Sequence, residues 1–335
     1  MIRRLLAGMV LLALVAAGAV WWIFVRVGTP YRGFTGGEVF VELPAGTSVS
    51  GMADRLAAAG IVPDALTFRL AARLSGQERR LQAGEYRFAD AATPTEVVAR
   101  LARGDVFVLP ITFREGLTIP EMAGVFEAAG LGPAESFRTA AGRVDLIRDL
   151  DPAADDLEGY LFPSTYTVSR RTTADELVAA MVSQFRRVYA DLRGRADTSS
   201  LSLREIVTLA SVVERETAAP DERPMVAAVF LNRLRRGMPL QTDPTVIYAM
   251  MRLGRWTGNI RRSDLQMEHP YNTYRNPGLP PGPIAAPGRS ALEAVLDPAN
   301  VPYLYFVSRN DGTHVFSSTL TEHNRAVNEW QRRRR

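Results

Sequence analysis

Two glutamates close together near the end of an apolar segment could carry out acid–base chemistry. Residues 201–217 contain Glu214 and Glu216, separated by one arginine. The apolar residues of this segment recur at the spacing of an α-helix, so one face of that helix is predicted to be buried. Relative to Val207 on that face, a rotation of about 100° per residue brings Glu214 back to the buried side and Glu216 to the opposite side. We therefore expect Glu214 to be buried and Glu216 to face solvent.

A carboxyl group in apolar surroundings favours its protonated form, because burial disfavours the charge. The raised pKa of such a group suits a general acid. An alternative explanation is that Glu214 pairs with a buried arginine or caps a neighbouring loop, since structural ion pairs also bury glutamates. Helical spacing does not choose between these two explanations.

Composition excludes several other chemistries. The chain of 335 residues has no cysteine, which excludes disulfides, thiol catalysis and zinc sites built on cysteine. Its three histidines, His269, His314 and His323, share no metal-ligand spacing, and we expect His314 and His323 to be structural. No nucleophile elbow, P-loop or dinucleotide fingerprint is present. We therefore expect neither a metal nor a cofactor.

The sequence after residue 237 consists of polar, turn-rich stretches with almost no helical period. Long ordered loops of this kind are usually functional. Their amides and hydroxyls can hydrogen-bond sugars, and their aromatic rings can stack on sugar rings. Loop architecture is the alternative for every candidate. The candidate sugar-binding residues are Gln241, Thr242, Asp243, Tyr271, Asn272 and Tyr274.

The elements that must position these residues follow from local signals. Ser202 and Glu205 form the pattern of a capping box at the start of the glutamate-bearing helix, and Pro220 follows its end. The other predicted elements of this part of the chain are helices at 175–192, 223–235 and 322–332 and strands at 301–308 and 314–317.

An internal repeat lies in the first half of the chain. Residues 43–61 are similar to residues 113–131, seventy residues later, and each copy has the pattern of a strand, a turn at glycine and a helix that ends at a second glycine. A short strand at 81–88 and a helix at 95–103 lie between the copies. Two copies do not make a solenoid, so we predict a small α+β module over residues 38–108.

The N-terminal segment has the length and composition of a membrane span. Residues 5–25 form an uncharged apolar run of 21 residues, with two arginines before it and two tryptophans near its far end. A signal peptide cleaved near residue 19 is the competing interpretation, but the apolar run continues past that point. We favour an uncleaved anchor within residues 1–27, followed by a linker at 28–37. Arginines on both sides leave its orientation open.

The balance of charge gives no indication of nucleic-acid binding. Forty basic residues face thirty-six acidic ones, for a formal charge of +4, and all the basic residues are arginines scattered among acids. The run of arginines from residue 332 to 335 is the exception, and we expect it to be a solvated tail.

Six motifs in order give a specific resemblance. They occupy residues 210–217, 229–234, 240–248, 271–274, 278–284 and 302–307. Through these motifs the chain resembles the endolytic murein transglycosylase, or YceG-like, family, and more loosely that family's LysM-like subdomain and single N-terminal anchor. The resemblance implies an α+β protein with a LysM-like module at 38–108 and a catalytic domain at 109–335.

This resemblance implies a function. Members of the family cleave the β-1,4 bond between N-acetylmuramic acid and N-acetylglucosamine inside peptidoglycan strands, without water, and leave a 1,6-anhydro end. Carried over by position, the catalytic residue is Glu214. Glu216 matches the family too, but its predicted outward direction suggests a supporting or surface role. The resemblance also implies a bacterial inner-membrane protein with its catalytic domain in the periplasm, which ends nascent strands. Peptidoglycan is the implied substrate, and peptidoglycan synthases are candidate partners.

Two other functions stay open at this point. A muramidase that uses water would need a second carboxylate, for which Asp243 is the candidate. Pro244 follows it directly, so a turn role for Asp243 is an alternative. A non-catalytic scaffold that binds glycan could keep every sugar-contacting loop, but it would have no reason to keep a glutamate on a buried face.

Overall fold

The computed structural model describes residues 2–332, without the side chains of residues 2–5 and 7. Most of the terminal arginine run therefore lies outside the described residues. The chain divides into two compact units, Met1–Leu109 and Pro110–Arg335. Helices alternate with short strands that pair in two-stranded sheets, which confirms the predicted α+β class.

Helix α1 (Ile2–Gly28) contains the predicted membrane span. Its part from Gly8 to Gly28 has a mean hydropathy of 2.3 and is long and apolar enough to cross a bilayer. The end of the helix is different, because Val27 is only 7% exposed and belongs to the core of the first unit. The Arg26 guanidinium also pairs with the Asp64 carboxylate of that unit.

The first unit has a β-α-α-β order followed by one more helix. Strands β1 and β2 are antiparallel, with Val41 opposite Tyr86. Leu43, Leu56 and Phe68 are fully buried between the strands and the helices. The elements are β1 (Val39–Leu43), α2 (Val49–Ala58), α3 (Ala65–Leu74), β2 (Gly84–Phe88) and α4 (Pro94–Arg103).

The predicted linker at 28–37 is held against the first unit. Tyr31 pairs with Ala92 through two backbone hydrogen bonds, and the Gly33 N–H donates to the Gly60 carbonyl at 2.8 Å. This segment therefore belongs structurally to the first unit.

The second unit opens with the second copy of the repeat. It has the same β-α-α-β order, and β3 pairs with β4. Gly46 and Gly116 occupy the same left-handed conformation in the two copies, with φ of 79° and 77°. The structure thus confirms the repeat. The elements are β3 (Leu109–Thr112), α5 (Ile119–Ala128), α6 (Ala134–Ala141) and β4 (Thr165–Val168).

Helix α8 is the central element of the second unit. The predicted capping box of Ser202 and Glu205 is present at its start. It packs against α9, α10 and α11, and every residue from Ile206 to Val213 is buried. The remaining elements of the unit are α7 (Ala174–Ala196), α8 (Leu203–Glu216), α9 (Arg223–Arg235), α10 (Asp243–Arg252), α11 (Arg289–Leu296), β5 (Tyr305–Ser308), β6 (His314–Ser317) and α12 (Leu320–Val327).

Four helices were not predicted, namely α3, α6, α10 and α11. The polar stretches after residue 237, in which we expected almost no helical period, contain α10 and α11. The sequence does contain a helix-start signal for α10, because Thr242 precedes the helix and Pro244 lies in its first turn. The prediction missed α10 because the polar loops on both sides hid the apolar residues of this ten-residue helix.

We expect a replacement at Gly159, which packs beneath α8, to be costly. Gly159 has φ +83°, and a Cβ there would lie 2.5 Å from Pro283 and 2.8 Å from Val207. Gly159→Ala should lower the free energy of unfolding by about 3 kcal/mol or more, through both strain and overlap. Gly237→Ala is the matched control, because Gly237 has φ +67° with open space around it. Its cost should be about 1 kcal/mol. Equal losses in urea unfolding would contradict the overlap at Gly159.

Candidate active site

Glu214 lies in a closed ion pair near the end of α8. Its side chain is 5% exposed, and one oxygen accepts a hydrogen bond from the Arg223 guanidinium at 2.6 Å. The other oxygen accepts from the Gly288 N–H at 3.0 Å. Arg223 is 7% exposed and also lies 3.3 Å from Glu115. The predicted burial of Glu214 is confirmed, and so is the alternative that it pairs with a buried arginine.

This arrangement joins several parts of the second unit. Burial raises the pKa of the Glu214 carboxyl, while the Gly288 N–H and Arg223 partly offset that shift. The 2.6 Å contact is that of a charge-assisted hydrogen bond, so we take the ionised form of Glu214 as the one that binds Arg223. With both oxygens engaged and little surface exposed, Glu214 is arranged to fix the end of α8 against the start of α9.

The prediction that Glu216 faces solvent was wrong. The residue is half-buried, and one carboxyl oxygen accepts a hydrogen bond from the Thr242 hydroxyl at 2.9 Å. Leu209 and Val212 lie on the same side of α8 as Glu216, and both are fully buried. Helix α8 is thus buried on both sides, because it has a second apolar stripe on the side of Glu216. This second stripe is visible in the sequence.

The environment of Glu216 suits a group that gives and takes protons. Burial raises the pKa of its carboxyl to about 7, the Thr242 hydroxyl partly offsets the shift, and the nearby Asp243 carboxylate adds to it. Glu216 is also the last residue of α8, where the partial negative charge of the helix end disfavours a carboxylate. Both protonation states are therefore populated near neutral pH, which is the condition for general acid–base catalysis.

A pocket of about 320 Å³ opens beside this carboxyl group, and we call it the Glu216 pocket. Its walls combine polar residues with three apolar ones, Phe230, Leu240 and Phe306. The polar residues are Glu216, Arg233, Gln241, Asp243, Tyr274 and His323.

Asp243 and Tyr274, both predicted from sequence, form a pair in this pocket. The Tyr274 hydroxyl donates to the Asp243 carboxylate at 2.7 Å. Asp243 is exposed and is the first residue of α10, where the helix end stabilises a negative charge. The pocket therefore holds one desolvated carboxyl at the end of a helix and one solvated carboxylate at the start of another. Such a difference in environment separates an acid from an anion.

Two more predicted residues lie at the pocket but have different roles. Gln241 is exposed and lines the pocket, with a left-handed φ of 51°. Its N–H donates to the Thr273 carbonyl at 3.2 Å, which fixes the unusual conformation. Thr242 is 1% exposed, and its hydroxyl donates a hydrogen bond to the Glu216 carboxyl group. Gln241 can therefore meet a ligand, whereas Thr242 orients the acid.

Asn272 and Tyr271 are not among the residues that line the pocket. Asn272 is fully buried, and its amide donates to the carbonyls of Leu265 and Met267 at 3.1 and 2.7 Å. Tyr271 packs on Tyr248 with a centroid distance of 4.9 Å. These contacts favour the loop-architecture alternative for both residues.

Arg233 and His323 line the pocket and were absent from the sequence-based set of ligand-binding residues. Arg233 lay inside one of the six motifs, and its guanidinium donates to the Leu240 and Leu304 carbonyls, each at 2.7 Å. It holds two walls of the pocket together. His323 was expected to be structural, and no spacing in the sequence links it to Glu216.

An α+β framework that holds a glutamate of raised pKa in a polar pocket makes this a candidate acid–base site. Residues 41–329 match the YceG-like family, and the chain belongs to that family. An endolytic murein transglycosylase of Bacillus subtilis strain 168 is 32% identical over 308 residues, which cover 87% of this chain and 84% of the relative. The resemblance seen in the sequence is thereby confirmed.

Two further relatives give the same result. An endolytic murein transglycosylase of Streptococcus pneumoniae strain D39 is 30% identical over 327 residues, and the match covers 87% of this chain but 58% of that longer protein. The crystal structure of a YceG-like protein from Listeria monocytogenes is 31% identical, with a TM-score of 0.60. That match covers 87% of this chain and 99% of the Listeria chain.

The two glutamates of α8 should respond in opposite ways to the same substitution. Glu214→Gln removes the charge that binds Arg223, so it should lower the free energy of unfolding by about 3 kcal/mol. Glu216→Gln replaces a carboxyl group whose pKa is higher in the folded than in the unfolded state. Ionising that group costs stability as pH rises from about 5 through 7, and glutamine avoids this cost.

The stabilisation by Glu216→Gln should therefore grow by about 2 to 3 kcal/mol between pH 5 and pH 8. Urea unfolding of the two variants and the parent at both pH values measures this difference. A loss of stability in Glu216→Gln at pH 8 would show that the carboxylate is well solvated.

Proposed function

We propose that this protein is a membrane-anchored lytic transglycosylase that cleaves the β-1,4 bond between N-acetylmuramic acid and N-acetylglucosamine within peptidoglycan strands. Glu216 is the general acid and base. The observation that carries the proposal is its half-buried carboxyl, with a pKa of about 7, at the edge of a pocket of about 320 Å³. Membership of the YceG-like family and relatives named endolytic murein transglycosylases support the substrate.

Glu216 fits the catalytic role better than Glu214, the residue that sequence position suggested. Glu214 is enclosed by Arg223 and Gly288, and it does not line the Glu216 pocket. Among the described residues, no protein donor contacts the second carboxyl oxygen of Glu216, because the hydrogen bond from Thr242 uses only the other oxygen. A general acid needs both a neutral form and access to the substrate, and of the two glutamates at the end of α8 it is Glu216 that combines them.

The first chemical step breaks the glycosidic bond. Protonated Glu216 gives its proton to the bridging oxygen while the bond from that oxygen to C1 of the muramic acid breaks. Positive charge develops on the sugar ring in an oxocarbenium-like transition state. The Asp243 carboxylate, held by Tyr274 in the same pocket, is placed to stabilise that charge.

The second step uses the same glutamate as a base. The C6 hydroxyl of the muramic acid attacks C1, and its proton passes to the Glu216 carboxylate. This restores the acid and forms the 1,6-anhydro ring, and no water is consumed. A pKa near 7 allows one group to perform both transfers.

A muramidase is the second candidate, because Asp243 supplies a second carboxylate in the pocket. In that reaction Asp243 would act as the nucleophile or activate a water molecule on the opposite face of the sugar. The hydrogen bond of 2.7 Å from the Tyr274 hydroxyl uses one carboxylate oxygen of Asp243. The other oxygen would act as the nucleophile or the base.

The N-terminal features extend the proposal to the cell envelope. Helix α1 is the anchor in a bacterial inner membrane, and the rest of the chain lies in the periplasm, where peptidoglycan is found. The β-α-α-β order with antiparallel β1 and β2 supports a LysM-like assignment for the first unit. Peptidoglycan synthases, which make the nascent strands, are the proposed partners. The protein would end the growth of these strands by cutting them.

Activity should depend on Glu216 far more than on Glu214. Glu216→Gln keeps the shape of the side chain but removes the transferable proton, so cleavage of purified peptidoglycan strands should slow by about 10² to 10⁴. Glu214→Gln, the matched control two residues away, should retain most of the rate of the fraction that stays folded. Circular dichroism at the assay temperature reports that fraction. A larger loss of activity in Glu214→Gln than in Glu216→Gln would assign the catalytic role to Glu214.

Product mass separates the two chemistries. Lytic cleavage leaves fragments one water lighter than hydrolytic fragments, with no new reducing end. Mass spectrometry of the digest should therefore show anhydro ends as the dominant new termini. Asp243→Asn should slow the reaction without changing the product. Reducing N-acetylmuramic acid as the main terminus, lost in Asp243→Asn, would establish the muramidase instead.

The membrane anchor has its own test. The full chain should sediment with membranes, resist extraction by salt and dissolve in detergent, because α1 buries its apolar length in the bilayer. The intact mass should include the N-terminal residues. A new N-terminus near residue 20 would identify α1 as a cleaved signal peptide.

A further inference from the structure

A histidine borders the apolar side of the Glu216 pocket. His323 lies on α12, and its ring stacks on Tyr305 with a centroid distance of 5.2 Å and an interplanar angle of 24°. It lines the pocket together with Glu216, Phe230 and Phe306. The stacking fixes the plane of the imidazole, so its hydrogen-bonding direction is set before a ligand arrives.

The state of the ring follows from its surroundings. Nδ1 of His323 is buried, and no described residue gives it a hydrogen bond. A buried N–H without an acceptor is rarer in proteins than a buried acceptor without a donor, so the hydrogen is assigned to Nε2. Burial and the charge of Arg233 both lower the pKa of His323, which keeps the ring neutral at neutral pH. His323 therefore offers the pocket one N–H donor.

The pocket also has an apolar wall. Phe306 is half-buried and lines the pocket, and Phe230, which is only 1% exposed, meets it edge to face with a centroid distance of 5.9 Å. An acetamido group has a carbonyl oxygen that needs a donor and a methyl group that gains from an apolar wall. A sugar hydroxyl needs only hydrogen-bonding partners. The pairing of a donor with an apolar wall thus matches the acetamido group of an amino sugar.

We propose that His323 donates a hydrogen bond from Nε2 to the acetamido carbonyl of the sugar held beside Glu216, with the acetamido methyl against Phe306. The pocket then selects N-acetylated sugars and rejects those with a free amine. This inference rests on the proposed function, since it names a group of the same substrate. It makes His323 a binding residue rather than a structural one.

The test compares variants on substrates that differ only in the acetyl group. His323→Phe keeps a ring to stack on Tyr305 and removes the donor, and His323→Leu removes both. Asn324→Ala is the control, because Asn324 is an exposed residue on the same helix. The full chain in detergent is assayed for cleavage rate and glycan affinity. The ligands are N-acetylated strands, the same strands after chemical de-N-acetylation, and strands that have been re-acetylated.

On N-acetylated and re-acetylated strands, His323→Phe should lower kcat/KM by roughly tenfold, as expected for the loss of one hydrogen bond in a desolvated site. On de-N-acetylated strands the parent should already be slow, and His323→Phe should add no further loss. Asn324→Ala should match the parent on every ligand. If His323→Phe does not fold, the same pattern is required of His323→Leu.

An equal penalty on acetylated and de-N-acetylated strands would overturn the inference, because the contact would then be to another group. No penalty on either ligand would also overturn it. A parent protein that binds strands but cuts none would instead overturn the proposed catalysis. In that case the affinities on the three ligands still decide whether His323 contacts the acetamido group.

Discussion

The second unit depends on the complete burial of α8, a helix that ends in two glutamates. Other helices cover it on several sides, so neither glutamate at its end can simply point into water. Each carboxyl must therefore be neutralised or remain protonated, because an isolated buried charge is expensive. Glu214 is neutralised by Arg223, whereas burial raises the pKa of Glu216 to about 7 at the edge of a pocket. One constraint thus produces a structural ion pair and a candidate acid within three residues.

The loops after α9 complete the site by holding that acid in one orientation. Thr273 accepts the Gln241 N–H with its carbonyl and the Thr242 N–H with its hydroxyl. Thr242 in turn donates to Glu216. A catalytic group needs this kind of support, because small errors in position reduce the benefit of proximity. The buried amide of Asn272 belongs to the same framework, since it ties together the loop that carries Tyr274.

The two copies of the repeat use the same β-α-α-β arrangement in the two units. Each copy has the order β-α-α-β, and each turns at a glycine with positive φ between the first strand and the first helix. In the first unit, α3 and α4 pack against α1. In the second copy Gly116 lies against the end of α8, where the Arg215 guanidinium donates to its carbonyl at 3.0 Å. The same turn therefore supports the candidate site in the second unit.

Local signals in the sequence were sufficient for much of the fold. The capping box predicted the start of α8, the spacing of apolar residues predicted the burial of Glu214, and glycine positions revealed the repeat. Six motifs in order identified the family. The predictions from these features succeeded because each one depends on residues that are near one another in the chain.

Tertiary structure alone decided which glutamate lines the pocket. Helical periodicity gives the angle between Glu214 and Glu216 around the axis, but it does not say what covers each side of the helix. That depends on α9, on α10 and on the loops that bring Thr242 and Tyr274 to Glu216. His323 joins them from about a hundred residues further along the chain. Burial, and with it the pKa that makes a carboxyl group useful, is a property of the assembled unit and not of the segment.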